Sequence, residues 1–201
     1  MSTDAEQNPA LPEFWDQRFR KGVTPWDAGG VPNALQAFAA SCSRPRRVLI
    51  PGCGNGWEAR YLAELGWDVT ALDFSPEAIA AARVNLGPYA DRLVLADYFT
   101  FDAPGAFDLI YERTFLCAMP RRMWPQYAAR TAALLKRGAG LLVGFFFFSD
   151  EPKGPPFGTS SPALAELLEP WFSREQDCKV DDSIPLFQNR ERWQEWRRKA
   201  G

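Results

Sequence analysis

The chain has 201 residues, with 23 Lys+Arg, 25 Asp+Glu and no histidine, for a net charge of -2. That length suits one domain with a sizeable core, and the charge leaves no basic footprint for nucleic acid or an anionic membrane. Without histidine there is no Ser-His-Asp or Cys-His pair and no His-containing zinc site, so the chemistry must run on carboxylates, Arg/Lys, Tyr, Cys or a cofactor.

In chain order, Met1–Ala10 reads as a flexible tail ahead of a single domain over 11–201. Residues 1–12 are polar, with no apolar signal core. Phe14, Trp15 and Phe19 fit one face of a short helix, and Asn33–Ala40, with Leu35 and Phe38, reads as a second. Arg47–Ile50 is a short apolar run ended by Pro51-Gly52, the pattern of a buried strand. Trp57–Leu65 reads as a helix stopped by Gly66, and Asp68–Leu72 as a second strand ending at Asp73. Ser75-Pro76-Glu77 opens a helix with a hydroxyl cap, a proline in the first turn and an acid beside them. Arg92–Ala96 and Phe107–Tyr111 read as the third and fourth strands. Met119–Arg137 predicts a helix on the stripe Trp124, Tyr127, Ala128, Thr131 and Leu135. Leu141–Phe148 predicts a fifth strand covered on both faces, too short for the roughly 20 residues of a membrane helix. Ser161-Pro162 opens a further helix running toward Trp171. Phe172–Val180 and Ile184–Gln188 read as a closing strand pair, and an amphipathic tail carries Trp193 and Trp196. The alternation predicts an α/β fold, a doubly wound, mostly parallel sheet of seven strands with helices on both faces.

The four cysteines, Cys42, Cys53, Cys117 and Cys178, show no Cys-x-x-Cys pair, as expected of free thiols in a reducing compartment. A cytoplasmic protein is expected, with no metal site, no membrane and no nucleic-acid partner.

The chemistry concentrates at predicted strand ends. Gly52-Cys53-Gly54-Asn55-Gly56 turns from the first strand straight into a helix, letting a ligand approach bare backbone. Trp57 stands where the dinucleotide fingerprint has its third glycine. That departure disfavours NAD and suits a nucleoside without a pyrophosphate, such as S-adenosylmethionine. Asp73, 17 residues after Gly56, is placed to accept from ribose hydroxyls. Asp97-Tyr98-Phe99 offers an acid and aromatics for an adenine. Tyr111-Glu112-Arg113 falls at the edge where open α/β sheets bind ligands, and Tyr111 and Arg113 are candidates to face an anionic substrate.

Taken in order, several segments together resemble the thiopurine methyltransferase superfamily, which includes plant halide/thiocyanate and thiol methyltransferases. They are Phe14-Trp15, Thr24-Pro25-Trp26-Asp27, Pro51-Gly52-Cys53-Gly54, Asp73-Phe74-Ser75, Asp97-Tyr98-Phe99, Phe107-Asp108-Leu109-Ile110-Tyr111, Phe115-Leu116-Cys117-Ala118 and Gly154-Pro155-Pro156-Phe157. The resemblance spans Phe14 to Trp196. It implies a class I methyltransferase that uses S-adenosylmethionine and releases S-adenosylhomocysteine. Residues 11–40 would form a helical lid, with Trp15 and Trp26 closing over the cofactor. Gly52, Cys53 and Gly54 would line its methionine part, Asp73 its ribose, and Asp97 with Tyr98 or Phe99 its adenine side, with Phe74 and Tyr111 also among the cofactor-binding residues. Phe14, Arg113, Phe115 and Phe157 would wall the substrate pocket. Thr24–Asp27 and Phe115–Ala118 look like the halide/thiol branch, whereas Glu112-Arg113 looks like the thiopurine branch. The expected reaction is methyl transfer to a small soft nucleophile (thiol, hydrosulfide, thiocyanate or halide) by a monomer, with Arg113 and Tyr111 as the catalytic pair. The alternatives are a thiopurine or other heteroaromatic thiol acceptor, selenium or tellurium oxyanions, and a non-catalytic cofactor binder. A dinucleotide oxidoreductase is disfavoured by the glycine spacing.

Overall fold

The computed structural model describes residues 4–151 and 153–201. Within them seven strands form one sheet: β1 (Arg47–Pro51), β2 (Asp68–Asp73), β3 (Leu93–Leu95), β4 (Leu109–Arg113), β5 (Leu141–Phe147), β6 (Phe172–Lys179) and β7 (Glu191–Arg198). Their order is β3-β2-β1-β4-β5-β7-β6. The first five run parallel, and β7 lies antiparallel between β5 and β6. The helices are α1 (Asp4–Gln7), α2 (Pro12–Arg20), α3 (Asn33–Ser41), α4 (Trp57–Glu64), α5 (Pro76–Leu86), α6 (Trp124–Leu134) and α7 (Ser161–Leu168). This is the doubly wound α/β architecture that the alternation predicts.

Strand periodicity divides the core in two. Val48, Ile50, Val69 and Ala71 pack with Leu35, Leu62, Ile79 and Leu86 from α3, α4 and α5. Leu49, Ile110, Leu142 and Phe146 point the other way, onto Tyr127 and Leu134 of α6 and Leu164 and Leu168 of α7. Consecutive residues of one strand thus feed opposite layers. The strand order reverses between β1 and β4, so a crevice opens beyond their carboxyl ends.

Several elements differ from their predicted form. Residues 1–3 of the expected tail lie outside the described residues, but Asp4–Gln7 is helical, and Pro9 accepts from the Trp15 indole N–H at 2.9 Å. β4 begins two residues later than predicted and carries Glu112 and Arg113 inside the sheet, while Phe107 makes only an isolated bridge to Leu135. That bridge also stops α6, whose first turn is set by Pro125 after short 3-10 turns at Leu116–Ala118 and Arg121–Met123. Ile184–Gln188 is not a strand. The partner of β6 is instead the segment predicted as an amphipathic tail. Trp193 and Trp196, three apart, share a face in a helix but take opposite faces in a strand, and each enters a different core layer.

Candidate active site

The turn after β1 is built on backbone that side chains rarely adopt. Gly52 and Gly54 sit at φ +60° and +53°, and a Cβ on Gly52 would stand 2.5 Å from Cδ2 of Phe115. The Cys53 N–H donates to the Leu72 carbonyl at 3.0 Å and ties the turn to β2. Asp73 ends β2 beside it. One carboxylate oxygen accepts from the Gly54 N–H at 3.1 Å and the other from the Ser75 N–H at 3.0 Å. Burial pushes Asp73 up to about 6, against the lowering effect of those amides. A carboxylate has about four acceptor sites, so Asp73 keeps capacity for ligand hydroxyls.

Helix α2 is fastened over this edge. Asp16 is buried, accepts from the Ser75 hydroxyl at 2.5 Å and from the Glu77 N–H at 3.2 Å, and Arg20 pairs with Glu77 at 2.8 Å. Asp16 went unread in the sequence; its one signal is the i,i+4 spacing to Arg20. The loop after α2 is held by Asp27, which accepts from the Asn55 amide, from the Trp57 indole N–H at 3.0 Å and from the Gly29 N–H at 2.8 Å. One carboxylate therefore joins the loop after α2 to the glycine turn.

Between α2 and the sheet edge lies a cavity of about 370 Å³, the size range of small-molecule sites. Of the predicted cofactor residues, Trp15, Trp26, Gly52, Gly54, Asp73, Phe74, Asp97, Tyr98 and Phe99 all line it, as does Phe115. Trp15 meets Trp26 edge-on at 5.3 Å, and Tyr98 meets Phe115 at 5.1 Å. Asp97 accepts from the Phe99 N–H at 2.8 Å. The remaining wall includes Cys117, Met119, Met123, Pro155, Pro156, Leu186 and Phe187. Burial pushes the Cys117 thiol up.

The other predicted residues stand elsewhere. Phe14 is buried beneath the Arg18 guanidinium, 3.3 Å from the ring centroid, and does not line the cavity. Phe157 packs behind Cys117, donating its N–H to the Cys117 carbonyl, and only Pro155 and Pro156 of its loop reach the cavity. Cys53, Tyr111 and Arg113 line an adjoining cleft of about 60 Å³ that shares Trp26, Gly52, Gly54 and Thr114 with the cavity. In that cleft Arg113 pairs with Glu58 of α4 at 3.2 Å, and the Tyr111 hydroxyl donates to the same carboxylate at 3.4 Å. Arg113 is thus neutralised by a partner absent from the sequence reading. Burial and Glu58 push Tyr111 up, which keeps it protonated.

Glu112 is neither on the surface nor paired with Arg113. Its carboxylate is 1% exposed and accepts from the Phe115 and Leu116 N–H groups, each at 3.0 Å, and from the Tyr127 hydroxyl at 3.0 Å. It closes the tight turn in which Thr114 takes φ +61°, and so aims Phe115 at Gly52. Its place at the end of an apolar strand was the available signal.

These residues fit S-adenosylmethionine. The bare Gly52-to-Gly54 backbone, a buried carboxylate with acceptor capacity and aromatic walls match a nucleoside, and a cleft holding both an acid and a base matches an amino-acid end. Among the described residues, no group of three or more His, Cys, Asp or Glu could hold a metal, and no helix is long and apolar enough to cross a membrane.

Residues 10–199 match the family model for thiopurine S-methyltransferase. Thiocyanate methyltransferase 1 of Arabidopsis thaliana is 30% identical over 190 residues, covering 92% of this chain and 84% of that protein. Thiopurine S-methyltransferase of Methylococcus capsulatus is 30% identical over 182 residues, covering 80% and 82%. Among solved structures, the 1,6-didemethyltoxoflavin-N1-methyltransferase of Burkholderia thailandensis superposes with a TM-score of 0.77 at 24% identity, over 99% of this chain and 92% of that one. The chain belongs to the thiopurine S-methyltransferase family and is an S-adenosylmethionine-dependent methyltransferase.

Proposed function

We propose that this enzyme methylates a small soft nucleophile, a thiol, hydrosulfide, thiocyanate or halide, in the cavity between α2 and the carboxyl edge of the sheet. The observation that carries this reading is the wall of Cys117, Met119, Met123, Leu186 and Phe187, which is apolar and contains no group suited to take a proton. Tyr111 and the Cys117 thiol are both held protonated, and the chain has no histidine. An acceptor with a pKa of about 8.5 is already partly ionised at neutral pH, and halides and thiocyanate are anions outright, so neither needs a strong base.

In this reading Asp73 takes the ribose hydroxyls, and Asp97, Phe74, Tyr98 and Phe99 frame the adenine. The cleft of Arg113, Glu58, Tyr111 and Cys53 receives the amino-acid end, its opposite charges matching a zwitterion. Arg113 and Tyr111 therefore position the cofactor and do not meet the acceptor's charge. When bound, S-adenosylmethionine supplies a methyl group on a good leaving sulfonium. Trp15 and Trp26 offer ring faces to that cation, worth on the order of 1 kcal/mol, and with Phe115 they exclude water from the acceptor. Residues 11–40 act as the lid, held by Asp16 and Asp27. The four unpaired cysteines support a cytoplasmic setting, and we assign a monomer acting on small molecules.

The test is to incubate the protein with methyl-labelled S-adenosylmethionine and a panel of iodide, thiocyanate, hydrosulfide, an aryl thiol, a thiopurine and selenite. Label on the small anions or thiols is expected. Label on the thiopurine or selenite alone, or on nothing, would overturn the assignment.

A further inference from the structure

Helix α2 turns three side chains toward the cavity at helical spacing: Trp15, Arg18 and Phe19. Arg18 is the one cationic side chain among the described residues lining that cavity. Its guanidinium is fixed in place, with Nη1 donating to the Phe14 carbonyl at 2.9 Å and the planar group lying on the Phe14 ring. Arg20, two positions on, pairs with Asp16 and Glu77. Arg18 forms no ion pair with any described carboxylate. A guanidinium carries five N–H donors, so most of those on Arg18 remain for a ligand. Partial burial lowers its pKa, a desolvation that an adjacent anion would offset.

The alternatives for meeting a charged acceptor are used up. Arg113 is bound to Glu58 in the neighbouring cleft, and the wall of Met119, Met123, Pro155 and Leu186 has no charge. Resting on the reading that a methyl acceptor shares this cavity with the cofactor, we propose that Arg18 determines acceptor specificity by donating to a negatively charged group on the acceptor. The lid helix thereby selects the substrate as well as covering it. Acceptors with a carboxylate or other anionic group are favoured over neutral ones of the same shape.

Two aryl thiols of matched size test this, 4-mercaptobenzoate and 4-methylbenzenethiol, titrated by calorimetry into the protein loaded with S-adenosylhomocysteine, with label transfer followed in parallel. The wild type should bind the carboxylate-bearing thiol at least tenfold more tightly. In Arg18→Met, which keeps the length of the stem, that ratio should fall to near one while S-adenosylhomocysteine binds within about twofold of wild type. Arg18→Lys should restore part of the ratio. The inference fails if the wild type shows no preference, if the preference survives in Arg18→Met, or if it disappears together with affinity for S-adenosylhomocysteine. Binding with the expected ratio but without label transfer would instead count against the proposed reaction and leave the role of Arg18 supported.

Discussion

Replacing Glu112 separates two roles of one buried carboxylate. Its acid group titrates near 4.5 in an unfolded chain, and burial lifts it to about 7 in the fold. Between those values the native state holds a proton that the unfolded state has released. The stability linked to this group is therefore full below about 4.5 and is lost as pH rises through about 7. At roughly 1.4 kcal/mol per pH unit, the window is worth about 3 kcal/mol. Glu112→Gln keeps an acceptor for the Phe115 and Leu116 N–H groups, and its amide can donate to the Tyr127 hydroxyl, so the turn should survive without the titration. Urea unfolding of wild type and Glu112→Gln between pH 5 and 8 should show the wild type losing up to about 3 kcal/mol more than the variant. Asp73, also raised, is common to both proteins and cancels in the difference. Glu112→Ala orphans three donors and should cost roughly 3–5 kcal/mol near pH 5, a large part of a typical domain's stability, and the cost should shrink toward pH 8 because the variant also lacks the titration. Equal pH slopes in wild type and Glu112→Gln, or a harmless Glu112→Ala, would refute the account of this carboxylate.

Two further substitutions probe the loop after α2 and the glycine turn. Asp27→Ala removes the shared acceptor of Asn55, Trp57 and Gly29. Affinity for S-adenosylhomocysteine, followed by quenching of tryptophan fluorescence, should fall about tenfold or more, with little change in melting temperature. Gly52→Ala places a methyl group 2.5 Å from Phe115 at φ +60° and should abolish cofactor binding while the protein stays folded by circular dichroism. Undiminished binding in Gly52→Ala would show that cofactor and turn do not meet.

The parallel half of the sheet and the glycine turn beside Asp73 were legible because each rests on a local pattern. Apolar runs stop at glycine or aspartate, Ser75-Pro76 caps a helix, and Gly52 with Gly54 marks backbone that must stay bare. Long-range pairings were not legible. Glu58 lies 55 residues from Arg113, and nothing in either segment announces that the two neutralise each other, so Arg113 read as a free cation. Arg18 passed unremarked because a lone arginine on a short helix looks like any solvated residue until a cavity is seen beneath it. β7 was hidden by its charges, since Glu191, Arg192, Glu195 and Arg197 mask a strand held from both sides by β5 and β6.

The central claim, that the cavity beside Gly52 and Asp73 holds the cofactor, is tested most directly by titrating S-adenosylhomocysteine into wild type and Asp73→Ala by calorimetry across pH 5 to 8. Loss of two charge-assisted ribose hydrogen bonds should weaken binding by at least about 100-fold. Wild-type affinity should fall as pH drops through about 6, where Asp73 takes up a proton, and Asp73→Ala should lack that inflection. Affinity within a few-fold of wild type in Asp73→Ala, with the same pH profile, would place the nucleoside elsewhere.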